Sequence, residues 1–223
     1  MDWLHGAQAV FLKDARLELR TRFALNALGL FVAAALVLLR FALGDTAVDA
    51  PTAAALLWIV IVFAATVGLG RAFVLEEERG TVLLLRLTLR PSAVYLGKLA
   101  FNVALTLALN AAAALVFLVL VAPAVHAPGL FAATLALGAI GLAGATTLLS
   151  AIIARTASSG PLLAVLSFPI LIPLLFFAVQ ATRLAFEPGA TWAAAETDLL
   201  GLVGYGGVMI TASVLLFDYV WRD

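Results

Sequence analysis

The sequence predicts an all-α integral membrane protein with six transmembrane helices, an N-terminal interfacial helix and a cytoplasmic coupling helix. Of its 223 residues, 65% are hydrophobic and only 12% are charged, which lies far outside the composition of soluble domains. Apolar stretches of about twenty residues recur along the chain, and that length lets an α-helix cross a bilayer. We expect a single transmembrane domain over residues 1–223.

Residues 1–22 predict a helix that lies at the inner membrane surface. On a helix, Lys13, Arg16 and Arg20 fall within about 60° of one another and form one basic face, which suits anionic headgroups. The alternative is a positively charged flank that only fixes the topology. The residues assigned to the interfacial helix are Lys13, Arg16, Glu18, Arg20 and Arg22.

The distribution of Lys and Arg predicts the orientation. Eleven of the thirteen fall on the side that includes both termini and residues 71–98, and only Arg40 and Arg183 fall on the other. The positive-inside rule therefore places both termini in the cytoplasm. The predicted spans are approximately 24–43, 52–75, 96–121, 130–154, 161–181 and 199–220.

Polar residues inside the third span form one stripe. Asn102, Thr106 and Asn110 recur at every fourth position. The stripe indicates either a substrate path or moving interface, or interhelical hydrogen bonding, and we favour hydrogen bonding.

Proline and glycine residues also mark the later spans. Pro169 and Pro173 each remove a backbone donor, so the fifth span should kink there, as a hinge or as a static shape. Glycines at close spacing predict tight helix packing in span four (Gly138, Gly141 and Gly144) and in span six (Gly201, Gly204 and Gly207).

Residues 71–98 concentrate charge more than any other part of the chain, and they hold five of the thirteen Lys and Arg residues. Three adjacent carboxylates cannot lie in lipid, yet residues 82–89 are too apolar for a solvated loop. Gly80 can end one helix, Thr81 can cap a short new one, and Arg90-Pro91 ends it. The segment predicts a docking surface for a cytoplasmic partner, with an ordinary solvated loop as the alternative. The residues assigned to coupling are Glu76, Glu77, Glu78, Arg79, Gly80, Thr81, Leu84, Arg90 and Pro91.

The sequence carries no motif for chemistry of its own. It has no phosphate-binding loop, no nucleophile elbow, no acid deep in a span and no cysteine. Because its net charge is zero, the chain has no overall positive potential that would attract nucleic acid. His126 in an outer link could be a metal or haem ligand, but a solvated side chain is the favoured interpretation. We therefore expect no catalytic, cofactor or metal site, and energy supplied from outside the chain.

Three stretches resemble known permeases. The acidic run with Gly80-Thr81, a short helix, a proline and then Gly97-Lys98 resembles the coupling segment of ABC-2-type (type V) export permeases. Arg16-Leu-Glu-Leu-Arg20 and the span-five segment 159–177, with its proline pair, resemble the haem exporter protein B (CcmB) family. That family is the ABC-2-type permease subunit of the cytochrome c maturation system in the bacterial cytoplasmic membrane.

The resemblance implies several partners. They are a CcmA-like ATPase, CcmC-like and CcmD-like membrane subunits, and a CcmE-like haem chaperone whose release would be driven by ATP. ATP would be bound by the ATPase and haem handled by the partner subunits, with neither bound directly by this chain. Glu76, Glu77, Glu78, Gly80 and Thr81 would contact or shape the ATPase dock. Two alternatives stay open: an ABC-2 permease that exports a lipid, drug or glycan, and a scaffold that only assembles the complex.

Overall fold

The computed structural model describes residues 3–44, 46–69, 73, 76, 80–153 and 159–222. Over these residues the chain is all-helical and contains no strand, which confirms the predicted class. The helices are α1 (Trp3–Thr21), α2 (Phe23–Leu43), α3 (Ala50–Leu69), α4 (Val82–Thr88), α5 (Pro91–Leu120), α6 (Pro128–Ile153), α7 (Ser159–Phe186) and α8 (Glu196–Arg222).

Within the described parts of the chain, five helices are long and apolar enough to cross a membrane: α2, α5, α6, α7 and α8. The multi-span architecture is therefore confirmed. Helix α3 has 20 residues, but its described side chains end at Thr66, and this apolar part is shorter than the others. The sixth span stays a prediction.

Three helix boundaries differ from the prediction. Helix α5 begins at Pro91 rather than at residue 96, because proline fits the first helical position, where no backbone donor is needed. Phe73 lies in a turn, so the second span does not run as a helix to residue 75. Helix α7 continues to Phe186 rather than ending at residue 181.

Helix α6 lies at the centre and packs against α3, α5, α7 and α8. Its glycines allow these neighbours to approach closely. A Cβ atom at Gly138 would lie 2.2 Å from the Trp58 ring of α3, and one at Gly141 would lie 2.4 Å from Leu174 of α7. Gly144 faces α8 at ordinary contact distance. The packing role predicted for the span-four glycines is confirmed.

The span-six glycines differ from one another. A Cβ atom at Gly201 would lie 2.6 Å from the Phe177 ring, but nothing described lies within 4 Å of one at Gly204 or Gly207. The predicted close packing is therefore wrong for Gly204 and Gly207 within this chain, because they lie on a face of α8 that no described helix covers.

The polar stripe of α5 is buried and contacts α6. The Asn102 amide donates to the Thr147 hydroxyl at 2.7 Å, and the Asn110 amide donates to the Leu135 carbonyl at 3.0 Å. Thr106 donates to the Asn102 carbonyl within its own helix, at 2.6 Å. Two of the three stripe residues thus join helices by hydrogen bonds, which is the interpretation that the sequence favoured.

Helix α7 continues without a break through Pro169 and Pro173, and both proline side chains are exposed. The Tyr205 hydroxyl of α8 donates to the Ile170 carbonyl at 2.9 Å, one turn before Pro173. A kink at Pro169 and Pro173 stays a prediction, as does the choice between a hinge and a static shape.

Candidate functional site

One end of the molecule brings together the two segments that the sequence analysis singled out, residues 1–22 and 71–98. A small apolar cluster there joins α1, α4, α5, α6 and α8, separate from the larger core between the long helices. Its buried members are Val10, Phe73, Leu85, Val94, Tyr95, Leu99, Ala151 and Phe217.

Helix α1 packs closely along the first turns of α5. A Cβ atom at Gly97 would lie 2.5 Å from the Ala7 carbonyl oxygen and 2.7 Å from the Val10 Cβ. Only glycine at position 97 permits this approach of the two backbones. Further along, the rings of Phe11 and Phe101 meet edge to face, with centroids 6.4 Å apart.

The contact between α1 and α5 contains an ion cluster formed by Lys13, Asp14, Glu76 and Lys98. Lys98 is 2% exposed, and its Nζ lies 3.1 Å from Asp14 Oδ2 and 2.9 Å from Glu76 Oε1. Lys13 donates to the same Glu76 oxygen and lies 3.2 Å from Asp14 Oδ1. The positive charges of the two lysines equal the negative charges of the two carboxylates. Charged groups need such pairing to remain ionised in a buried site.

Glu76 also holds the residue that precedes α4. The Thr81 hydroxyl donates to Glu76 Oε2, and the Thr81 amide donates to the Glu76 carbonyl at 3.0 Å. Gly80, between them, has a φ of 66°, the left-handed conformation that ends a helix in a Schellman motif. Residues 77–79 lie outside the described residues, so the role of Gly80 in ending a helix stays a prediction.

The predicted capping by Thr81 is wrong in one respect. Thr81 does occupy the N-cap position of α4, but its side chain makes no capping hydrogen bond. Thr81 has helical backbone angles (φ −88°, ψ −7°) rather than the extended ones of a usual N-cap, and its hydroxyl donates to the buried Glu76 carboxylate.

Phe73 anchors the same segment to the neighbouring helices. Its backbone amide donates to the Ser150 hydroxyl of α6 at 2.9 Å. Its ring lies 5.3 Å from Lys98 Nζ and 5.2 Å from the centroid of the Phe217 ring of α8. Phe73 and Glu76 are thus held by contacts to α1, α5, α6 and α8.

The cluster shifts the pKa values of its outer members. Burial by itself raises the pKa of the Glu76 carboxyl, but the charge of Lys98 and hydrogen bonds from Lys13, Thr81 and Lys98 outweigh it, and the pKa falls to about 2. Burial opposes the charge of Lys13, yet the bond to Glu76 and the charge of Asp14 raise its pKa above the ordinary value. Both groups are therefore ionised at neutral pH.

The predicted basic face of α1 is divided. Lys13 turns to Glu76, whereas Arg16, Arg20 and Arg22 are exposed. The Glu18 carboxylate accepts a hydrogen bond from the Leu25 amide in the first turn of α2, at 2.8 Å. Whether this helix lies on the membrane surface stays a prediction.

Helix α4 exposes apolar side chains close to this charged end. Leu83, Leu84 and Leu87 are 65%, 62% and 77% exposed, whereas Leu85 on the other face is buried. After Leu89 the backbone is extended at Arg90, so the short helix ends before Pro91 as predicted. Glu77, Glu78 and Arg79 lie outside the described residues.

The sequence analysis missed the central residues of the cluster, Asp14 and Lys98. One signal was available: a lysine seven residues after Pro91, in a helix that enters the membrane, needs a counter-ion. Its neighbour Gly97 marked a close helix approach. The partners are 84 and 22 residues away in sequence, so only the fold identifies them.

No metal site is found among the described residues: they contain no group of three or more His, Cys, Asp or Glu side chains that could hold a metal ion. His126 is exposed in the link between α5 and α6.

These features define a helical, multi-span membrane protein with a charge-balanced end that carries an exposed apolar helix. A family model described as CcmB protein matches residues 5–216, so the chain belongs to the CcmB family. A search of curated proteins gave no significant match. Membership indicates a multi-pass inner-membrane protein that is a non-catalytic permease component of cytochrome c maturation and haem transport, and it implies an ATPase partner.

Replacing Lys98 should lower the free energy of unfolding much more than replacing Lys13. Lys98→Met leaves two buried carboxylates with one lysine, so the free energy of unfolding should fall by about 3–5 kcal/mol. The Lys13 side chain is 41% exposed, so Lys13→Met should cost about 1 kcal/mol or less. Thermal unfolding in detergent micelles measures both, and equal losses would contradict the buried role of Lys98.

The pKa of Glu76 predicts an acid dependence of stability. The folded-state pKa of about 2 lies below the ordinary value of 4.5. The unfolded chain therefore binds the proton first, and the stabilisation is complete above pH 4.5 and is lost as the pH falls towards 2. The melting temperature should fall more steeply over this range for the wild type than for Glu76→Gln. Parallel profiles would show that the carboxylate makes no such contribution.

Proposed function

We propose that this chain is the permease subunit through which a CcmA-like ATPase acts in cytochrome c maturation, with α4 as the coupling helix that receives the ATPase. ATP hydrolysis in that partner would then drive release of the haem-loaded CcmE-like chaperone. CcmC-like and CcmD-like subunits complete the proposed complex. ATP is bound by the ATPase and haem by the other partners.

The observation that carries this proposal is the exposed leucine face of α4. Leu83, Leu84 and Leu87 lie within about 100° of one another on the helix. All three are more than half exposed, at the end of the molecule that carries the ion cluster. Several large apolar side chains on one exposed face are typical of a surface that another protein covers.

The connections of α4 support a role in transmission. Only Leu89 and Arg90 separate it from α5, a helix of 30 residues that is long enough to span the bilayer. At its other end, Thr81 bonds to Glu76 and thereby to the ion cluster. A displacement of α4 would therefore reach α5 through short, ordered contacts.

The proposed orientation places α4 and both termini in the cytoplasm, with α3 as the sixth span. The excess of Lys and Arg on this side supports it. At the opposite end, Trp192 is 57% exposed, as expected for an aromatic anchor at the other membrane interface.

Polar substitutions on α4 test the docking helix. The double variant Leu84→Asp/Leu87→Asp should weaken binding of the purified ATPase by about tenfold or more, because it removes two exposed apolar contacts from the interface. ATP-dependent chaperone release should fall in parallel. Binding can be measured with the permease in nanodiscs.

The matched control is Leu84→Met/Leu87→Met, which keeps the apolar face and should bind normally. Unchanged ATPase binding by the aspartate variant would refute α4 as the dock. A scaffold role would instead be supported if reversing the charges of Glu77 and Glu78 leaves both assembly and chaperone release normal. Glu76 is left intact in that variant because its carboxylate is buried in the ion cluster.

A further inference from the structure

We infer that Lys98 is a positioning residue that joins α1, Glu76 with Thr81, and α5 into one mechanical unit, so that a partner bound on α4 also restrains the N-terminal helix. The inference rests on the proposed function, because that proposal identifies the ATPase as the partner that binds α4. It assigns to α1 a part in coupling that its basic residues alone do not indicate.

Lys98 forms buried ion pairs with α1 and with the residue Glu76 that precedes α4. Its ammonium lies between Asp14 of α1 and Glu76, while its own backbone belongs to α5. Each contact is buried, and water cannot readily replace a lost partner there. The three elements are therefore expected to move together rather than separately.

Helix α1 depends on this cluster for its orientation. It is separated from α2 by Arg22, whose φ of 50° turns the chain sharply between the two helices. Its main described contacts are with α5, where Gly97 lets the two backbones approach closely. The ion pairs of Lys13, Asp14 and Lys98 add directional contacts to this packing.

A continuous series of contacts leads from α4 to α1. Thr81, directly before α4, bonds to Glu76 through both its hydroxyl and its amide. Glu76 then contacts Lys98 and Lys13, and Lys98 contacts Asp14. Spatial continuity alone does not demonstrate coupling, so the test must measure α1 and α4 separately.

The test uses hydrogen exchange of the full-length chain in nanodiscs, with and without the purified ATPase of the same maturation system. In the wild type, the ATPase should slow amide exchange both in residues 82–88 and in residues 3–21, the latter by about fivefold. The key variant is Lys98→Met/Glu76→Met, which removes one cation and one anion together and leaves Lys13 paired with Asp14. Such charge-balanced replacements are usually tolerated by the fold.

In this variant, the ATPase should still protect residues 82–88 but should no longer protect residues 3–21. The fourfold swap Lys13→Glu/Asp14→Lys/Glu76→Lys/Lys98→Glu keeps every contact between opposite charges and should restore the protection. The control Arg183→Met breaks the half-exposed pair with Glu187 at the other end and should behave as the wild type.

The outcomes separate the two claims. Protection of residues 3–21 that persists in the double methionine variant, or that the swap does not restore, overturns the role of Lys98. Protection confined to residues 82–88 in the wild type also overturns it, while leaving the docking helix intact. Absence of protection at residues 82–88 in the wild type refutes the docking helix itself, and the inference with it.

Discussion

The structure depends on one buried ammonium group. Lys98 is 2% exposed at the start of a long apolar helix, and its two carboxylate neighbours make that position tolerable. Those carboxylates come from α1 and from the segment before α4, so satisfying one charge brings together two distant parts of the chain. The apolar cluster around Phe73 and the glycine contact at Gly97 then complete the assembly.

Different interactions hold the central region and the charged end of the molecule. The central region is held by close packing around α6, where glycines admit large neighbours such as Trp58 and where amide hydrogen bonds join α5 to α6. The charged end holds its elements by ion pairs and one left-handed turn at Gly80. A partner that pushes on α4 therefore meets a compact, charge-neutral assembly that is continuous with a transmembrane helix.

Much of the fold could be predicted because membrane-spanning helices follow from apolar length alone. The all-helical class, five spans and the short helix between Gly80 and Pro91 were all readable from hydropathy and helix-ending residues. Boundaries such as Pro91 were missed because the hydropathic signal starts only where the helix enters lipid. The uncovered face at Gly204 could not be predicted, since a glycine pattern does not state which neighbour is present.

The location of the candidate site was predicted from the sequence, but the pairing of its charged residues was not. Charge density identified residues 71–98, yet Glu76 is a buried structural anchor rather than one of three equivalent surface acids. Asp14 and Lys98 could not be paired from the sequence because no local periodicity links positions so far apart. Lys13 was assigned to a basic face for the same reason: its true partner, Glu76, is 63 residues away.

The central claim, that the end carrying α4 faces the cytoplasm and receives a soluble partner, is tested most directly by thiol labelling. The chain has no cysteine, so Leu87→Cys supplies a single reactive site. A membrane-impermeant maleimide should label it in inside-out vesicles but not from the outer face of spheroplasts, and saturating ATPase should shield it. Labelling from the outer face, or labelling in vesicles that the ATPase leaves unchanged, would contradict the account.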